Sequence, residues 1–251
     1  MIGIFDSGVG GLSVFREIRK LLPEERYIYY SDNAHCPYGE KSADYITDRA
    51  REITRFLIAR GADIIVVACN TATAAAISSL RREFPVRFIG MEPAVKPAVK
   101  STRTGVVGVL ATSGTLKAEK YLSTRERFSD GVNIAEHIGQ GFVELVERGC
   151  LTGEEAESKV EASLRPLLDE GADRIVLGCT HYPFLSDTIS KIAVRLYPDR
   201  EIEIIDPAPA VARHLVETMK ESGLIHDDGF SIELHSSGDG RILKETFERL
   251  T

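Results

Sequence analysis

The sequence predicts an α/β protein built as two pseudo-symmetric α/β domains with mainly parallel sheets. Two observations carry that expectation. Short apolar runs alternate with longer amphipathic segments, as successive β-α units do. The chain also repeats itself: Gly61-Ala62-Asp63-Ile64-Ile65-Val66-Val67-Ala68-Cys69-Asn70-Thr71 aligns with Gly171-Ala172-Asp173-Arg174-Ile175-Val176-Leu177-Gly178-Cys179-Thr180-His181 at a constant offset of 110 residues. A fainter match sets Ile2-Gly3-Ile4-Phe5-Asp6-Ser7 against Val107-Gly108-Val109-Leu110-Ala111-Thr112 at an offset of 105. Self-similarity of this kind marks a duplicated structural unit.

Taken in order, residues 2–5 read as the first strand, and Asp6-Ser7-Gly8-Val9-Gly10-Gly11 after it is a turn whose glycines permit close backbone approach. Residues 27–31 form the second strand and run into a polar loop, Ser31 through Glu40. The segment 42–60 starts at a capping Ser, places Ile46, Ile53, Phe56 and Leu57 on one face and stops before Gly61, which predicts a helix. Strands follow at 64–68, 86–90, 105–110, 134–137, 175–178, 202–205 and 232–235. Thr152 with Glu155 three residues on predicts a capping box for the helix between the sixth and seventh strands. Pro93 and Pro97, then Pro207 and Pro209, read as the crossings between domains, so residues 1–93 plus 207–251 are expected to form one domain and 94–206 the other.

Composition narrows the function classes. The 251 residues carry 31 Lys+Arg against 38 Asp+Glu, a net charge of −7, with 43% hydrophobic residues. That is ample for a core, and with no dense basic run it argues against nucleic acid or an anionic membrane as partner. A small polar metabolite fits better. The longest uncharged stretch, 64–80, is interrupted by Asn70, Thr71, Thr73, Ser78 and Ser79, which predicts no membrane span. The N-terminus lacks a basic region and reaches Asp6 within six residues, unlike a secretory signal, so the cytoplasm is the expected location. Cys36, Cys69, Cys150 and Cys179 stand 33, 81 and 29 residues apart, which matches neither a CxxC pair nor a zinc knuckle.

Chemistry is expected where the repeat and the strand ends coincide. Cys69 and Cys179 each fall at the carboxyl end of a strand and before a helix, where α/β sheets place their ligand sites. A lone cysteine is usually an inert buried residue; two at the same place in two repeats, followed by Asn70-Thr71 and Thr180-His181, are not. A thiol at a helix N-terminus meets unpaired N–H groups and a positive dipole end, conditions that favour its thiolate. The same N–H groups suit a carboxylate. Two such ends flanking one carbon suit a stereochemical inversion, in which one thiolate takes a proton and the other thiol returns one. Asp6 is read as an orienting or base-assisting group, and Tyr38 with the Gly39 N–H as an anion site, against the plainer readings of tight turns. A dinucleotide reading of the glycine turn, with Asp32 as the ribose acid, lacks the G-x-G-x-x-G spacing. The His35-Cys36 neighbours alone are a weak metal signal.

Together, Ile4 through Gly11, Pro37-Tyr38-Gly39, Val67-Ala68-Cys69-Asn70-Thr71-Ala72, Leu177-Gly178-Cys179-Thr180-His181-Tyr182-Pro183 and Ser237-Gly238-Asp239 resemble the glutamate-specific branch of the aspartate/glutamate racemase family. The resemblance implies two α/β domains with the active site in the cleft between them. It also implies interconversion of L- and D-glutamate without pyridoxal phosphate or metal, and D-glutamate supply for peptidoglycan. Carried over by position, Cys69 and Cys179 are the acid/base thiols, Asp6 assists the first, and His181 with Glu147 assists the second, Glu144 being the alternative to Glu147. Ser7, Tyr38, Gly39, Asn70, Thr71, Thr180 and His181 match substrate-binding positions, with Thr112 and Thr115 as further contributors. Gly139-Gln140-Gly141 departs from the Pro-containing loop of many relatives, and His35-Cys36 precedes Pro37 where other residues are usual. Some relatives are dimers, which makes a homodimer possible. Only Met1 precedes the first strand, whereas relatives activated by a cell-wall precursor carry an extension, so no such activation is expected. The rival readings are an aspartate-specific or decarboxylating relative, which His181 disfavours, and a two-lobed dicarboxylate-binding protein, which leaves the paired thiols unexplained.

Overall fold

Every run read as a strand is one, and every pairing among the strands is parallel. In the computed structural model, which describes residues 1–129, 131–226 and 229–250, the chain divides into two compact units. One comprises Met1–Met91 with Ala208–Thr251, the other Glu92–Pro207. No helix among the described residues is long and apolar enough to cross a membrane.

The first unit holds β1 (Ile2–Asp6), α1 (Leu12–Leu21), β2 (Arg26–Ser31), α2 (Ala43–Ala59), β3 (Ile64–Val67), α3 (Asn70–Glu83) and β4 (Arg87–Gly90). The chain comes back to it with α10 (Ala208–Ser222), β9 (Ser231–Ser236) and α11 (Arg241–Leu250). Its sheet runs β4-β3-β1-β2-β9. Parallel strands covered on both faces read as unbroken apolar runs, and Ile64-Ile65-Val66-Val67 is buried at all four positions. On one face Phe5, Ile28, Ile65 and Val67 pack with Ile46, Ile53 and Leu57 of α2 and Ala72, Ala76 and Leu80 of α3. On the other, the Phe15 ring of α1 meets Tyr27 edge-on at 5.2 Å. Each fully buried side chain of this size contributes about 1.5–3 kcal/mol.

The second unit holds α4 (Val95–Ser101), β5 (Val106–Ala111), α5 (Ser113–Leu116), α6 (Glu119–Phe128), β6 (Asn133–Ile138), α7 (Phe142–Glu147), α8 (Glu154–Asp169), β7 (Arg174–Gly178), α9 (Ser186–Leu196) and β8 (Glu203–Ile205). Its sheet runs β6-β5-β7-β8. The repeat read from sequence reappears as shared register. Ile2 pairs with Tyr27 and Ile64, and Val107, its counterpart, pairs with Ile134 and Arg174, the latter being the counterpart of Ile64. A one-residue slip in either sheet would turn every side chain of a strand to the opposite face. Both copies therefore deliver their cysteine at the same position.

Two local expectations need correcting. The α8 helix is not opened by a Thr152–Glu155 box: Gly153, at φ 91°, is its N-cap and offers no side chain, while Glu155 pairs with Arg148 at 2.6 Å. The left-handed glycine turns the chain one residue later than the motif requires. On α2 the Ser42 hydroxyl accepts from the Tyr45 N–H at 3.2 Å, and Gly61 (φ 91°) ends the helix as read, but Phe56 is only partly buried. Its ring lies at the sheet rim, against Tyr30 and His235 and under the Arg60 guanidinium.

Candidate active site

In the first unit the site grows from the carboxyl ends of β1 and β3. Cys69 leaves β3 in an extended conformation and serves as N-cap of α3, its Sγ accepting the Ala72 N–H at 3.4 Å. The sulfur thus occupies the place a Ser or Asp oxygen takes in an ordinary cap, among the open N–H groups of a fourteen-residue helix. Ser7 Oγ lies 3.8 Å from that sulfur and donates to Asp6 Oδ1 at 3.5 Å, and the same carboxylate oxygen receives the Gly8 N–H at 2.7 Å. Asp6 is wholly buried, so the thiol, the hydroxyl and the carboxylate form a relay running into the protein. The turn closes tightly around them: a Cβ on Gly11 would lie 2.8 Å from the Asp6 Cβ and 2.7 Å from the Tyr29 hydroxyl, which itself donates to the Gly8 carbonyl.

Asn70, on the first turn of α3, is 3% exposed, and neither end of its amide has a hydrogen-bond partner among the described residues. A buried amide left so costs about 1–3 kcal/mol until a ligand or water completes it. Thr71 beside it is equally buried.

Tyr38 and Gly39 lie in a short 3₁₀ turn, Tyr38–Glu40, beyond β2. The Tyr38 hydroxyl donates to Asp32 Oδ2 at 2.5 Å. Burial first, then the Asp32 charge, push its pKa far above the ordinary phenol range, so it stays protonated. Its donor is therefore committed, and toward a ligand it presents an oxygen that can still accept. Asp32 is fully buried, with Arg49 of α2 donating to both oxygens at 3.0 and 2.8 Å and His35 Nδ1 at 2.9 Å. Burial pushes the Asp32 carboxyl up, yet the hydrogen bonds from Arg49, Tyr38, His35 and Ser237 outweigh it and hold the group below the usual carboxylate range. A carboxylate so enclosed has no face for a ribose, which disposes of the dinucleotide reading.

In the second unit Cys179 follows β7 directly, but it does not cap a long helix as Cys69 does. Its carbonyl accepts the Tyr182 N–H at 3.1 Å and a 3₁₀ turn, Tyr182–Leu185, with Pro183 at its start, intervenes before α9. A different group attends this thiol. His181, 1% exposed, has Nδ1 at 3.8 Å from Cys179 Sγ and Nε2 at 2.7 Å from Glu147 Oε1. Of the two glutamates of α7, Glu147 at its end is the one on the imidazole. Thr180 is buried between the two site residues, and Thr112 caps α5, accepting from the Thr115 N–H at 3.3 Å with the two hydroxyls 3.1 Å apart.

The Gly139-Gln140-Gly141 departure has a local cause. The Tyr182 hydroxyl donates to the Gly139 carbonyl at 3.3 Å, and a Cβ on Gly139 would fall 2.6 Å from that ring. Gly141, at φ 78°, then starts α7 and so aims Glu147. At Gly178 the neighbours are less able to yield, since a Cβ there would meet the Ala111 Cβ at 2.7 Å and the Leu110 carbonyl oxygen at 3.1 Å, and backbone cannot move aside. Gly178→Ala is expected to cost about 1–3 kcal/mol and to shift the adjacent Cys179; urea unfolding with a parallel turnover measurement checks both.

The structure thus brings together Asp6, Ser7, Cys69 and Asn70 in one unit, and Glu147, Cys179, Thr180 and His181 in the other. Sequence reasoning missed Arg49, the principal partner of Asp32, and Tyr182, which sets the spacing of the Gly139 turn. Arg49 sits seventeen residues from Asp32 with a loop between, and no spacing rule reaches across that.

Known proteins resemble the chain over most of its length. The family model for Asp/Glu/Hydantoin racemase matches residues 2–215. A glutamate racemase of Methylococcus capsulatus is 51% identical over 224 residues, 89% of this chain and 81% of its own. The crystal structure of a glutamate racemase isoform from Bacillus anthracis superposes with a TM-score of 0.88 at 31% identity, covering 99% of this chain and 92% of its own. That of the Escherichia coli glutamate racemase, in complex with L-glutamate and the activator UDP-MurNAc-Ala, gives 0.85 at 34% identity, covering 99% and 94%.

Proposed function

The chain belongs to the Asp/Glu/Hydantoin racemase family, and from that membership we propose that it interconverts L- and D-glutamate by proton transfer between Cα and two cysteine thiols. The observation that supports this reading is the pairing of each repeated cysteine with its own relay: Cys69 with Ser7 and Asp6, Cys179 with His181 and Glu147. One thiolate removes the Cα proton and becomes S–H. The other thiol gives its proton to the opposite face of the same carbon and becomes the thiolate. The product is the enantiomer, and the next turnover begins from the reversed protonation states or after proton exchange with solvent.

The Cα proton of an amino acid is far less acidic than a thiol, so the site must stabilise a carbanion-like transition state with preorganised donors. The α3 N-terminal N–H groups, the unpartnered Asn70 amide, Thr71, Thr180 and His181 are assigned to the substrate's charged groups, together with Ser7, Tyr38 and Gly39. His181, bonded at Nε2 to Glu147, can take up or return the Cys179 proton at Nδ1. Glutamate is proposed as substrate because relatives 46–51% identical to this chain bear its name and the Escherichia coli relative holds L-glutamate. The D-glutamate formed would feed peptidoglycan synthesis in the cytoplasm.

The test is incubation of chelator-treated, pyridoxal-free protein with L-glutamate in D₂O, following optical rotation and deuterium at Cα together. Loss of rotation accompanied by deuterium incorporation is the expected result. Bound L-glutamate with neither change would overturn the two-thiol reading and return attention to L-aspartate or to a binding protein.

A further inference from the structure

The hydrogen bonds of the segment Ser237-Gly238-Asp239, singled out in the sequence, go to residues other than those assigned to proton transfer. It is nonetheless bound closely to the loop that carries Tyr38 and Gly39. Asn33, at the head of that loop, accepts the Ser236 hydroxyl at 2.6 Å and the Gly238 N–H at 3.0 Å through Oδ1, and donates through Nδ2 to the Asp239 carbonyl at 2.7 Å. The Ala34 N–H donates to Ser237 Oγ at 3.1 Å, and the Ser237 N–H to the Ser31 carbonyl at 3.0 Å. Gly238 permits this approach: a Cβ there would lie 3.2 Å from both Asn33 Oδ1 and the Ala34 Cβ. Between these stitches, Asp32 joins the same stretch to Tyr38 on one side and Arg49 on the other, and the Ser237 hydroxyl bonds to Asp32 as well.

We propose that Asn33, with the segment Ser237-Gly238-Asp239, is a positioning element that fixes the Tyr38–Gly39 turn for the substrate carboxylate. The inference rests on the reading of Tyr38 and Gly39 as glutamate-binding residues. All the polar atoms of the Asn33 side chain are spent on one short segment, and that segment reaches Tyr38 through Asp32. The Asn33 side chain hydrogen-bonds to Ser236, Gly238 and Asp239, not to a thiol or a group assigned to the substrate. It acts through the turn, on binding that is equal in the ground and transition states.

The test is Asn33→Ala and Gly238→Ala, the second pushing the segment away by its added methyl, assayed in both directions beside the wild type with thermal unfolding recorded for each. Uniform binding lost in this way is expected to raise KM for L- and D-glutamate by about tenfold, with kcat within about twofold of wild type. Unchanged KM in both variants, with only a lowered unfolding temperature, would overturn the proposal and leave the segment as an anchor for α11. So would a fall in kcat at constant KM. Should Asn33→Ala fail to fold, Asn33→Ser and Gly238→Ala decide by the same KM criterion. A wild-type protein that does not turn glutamate over would sink the proposed activity; a wild-type protein that does, with variants of unaltered KM, would sink the positioning element alone.

Discussion

Cys69→Ser is expected to keep its helix cap and lose racemisation. Serine is among the preferred N-cap residues, and its oxygen accepts the same Ala72 N–H that the sulfur accepts now. Stability is therefore expected to stay within about 1 kcal/mol of wild type. The hydroxyl, however, is far too weak an acid to form the base at neutral pH, and removal of a positioned general base or acid costs about 10²–10⁴ in rate. Cys179→Ser tests the partner thiol in the same way and leaves the His181–Glu147 pair, 2.7 Å apart, intact. Deuterium exchange and optical rotation, measured with the unfolding temperature of each variant, separate the cap from the chemistry. Near-wild-type turnover in either variant would remove the two-base mechanism.

Arg49→Met is expected to give the largest loss of stability among these substitutions. Methionine keeps much of the aliphatic stem but strips the fully buried Asp32 of two of its hydrogen bonds. Removing one partner of such a pair strands a charge in the interior, at about 3–5 kcal/mol. The pH dependence follows from the direction of the Asp32 shift. In the wild type its folded-state pKa is depressed, so its contribution is present above the ordinary carboxylate value and is lost as pH falls through the folded value. Without Arg49, burial dominates and pushes that pKa up, and the variant recovers stability once Asp32 is protonated. The stability gap between wild type and Arg49→Met is therefore expected to be widest near neutrality and to narrow as pH falls through the raised Asp32 value of the variant, above the ordinary carboxylate value of about 3.9. Urea unfolding across pH reads it directly, and a gap that stays constant or widens in acid would show that Asp32 does not carry the effect.

How much of this was legible in the chain depended on distance along it. The strands were legible because a parallel sheet buried on both faces leaves apolar runs that need no partner to be noticed, and the thiols because a duplicated strand carried each to the same register. Ser42 and Gly61 announced the limits of α2 by cap chemistry local to the helix. The Thr152–Glu155 motif failed because Gly153 takes a left-handed conformation that the motif cannot foresee. The Asp32–Arg49 pair and the Asn33 stitches were invisible for a different reason. They join groups brought together only by the completed sheet, the latter across more than two hundred residues, and leave no periodic trace.

The pairing of β2 with β9 also sets an order on biosynthesis. The residues of the second unit emerge from the ribosome as one uninterrupted stretch, whereas the first unit waits for its fifth strand until residue 231. At about 5–20 residues per second, the roughly two hundred residues between β2 and β9 take about ten to forty seconds to make. Throughout this wait, the outer edge of Tyr27-Ile28-Tyr29-Tyr30, which will pair with Ile232 through His235, is an open apolar template. Open edges of this kind recruit strands from other chains. The nascent polypeptide is thus exposed to misassembly along β2 until β9 has been made, and a chain without β9 would keep that edge open.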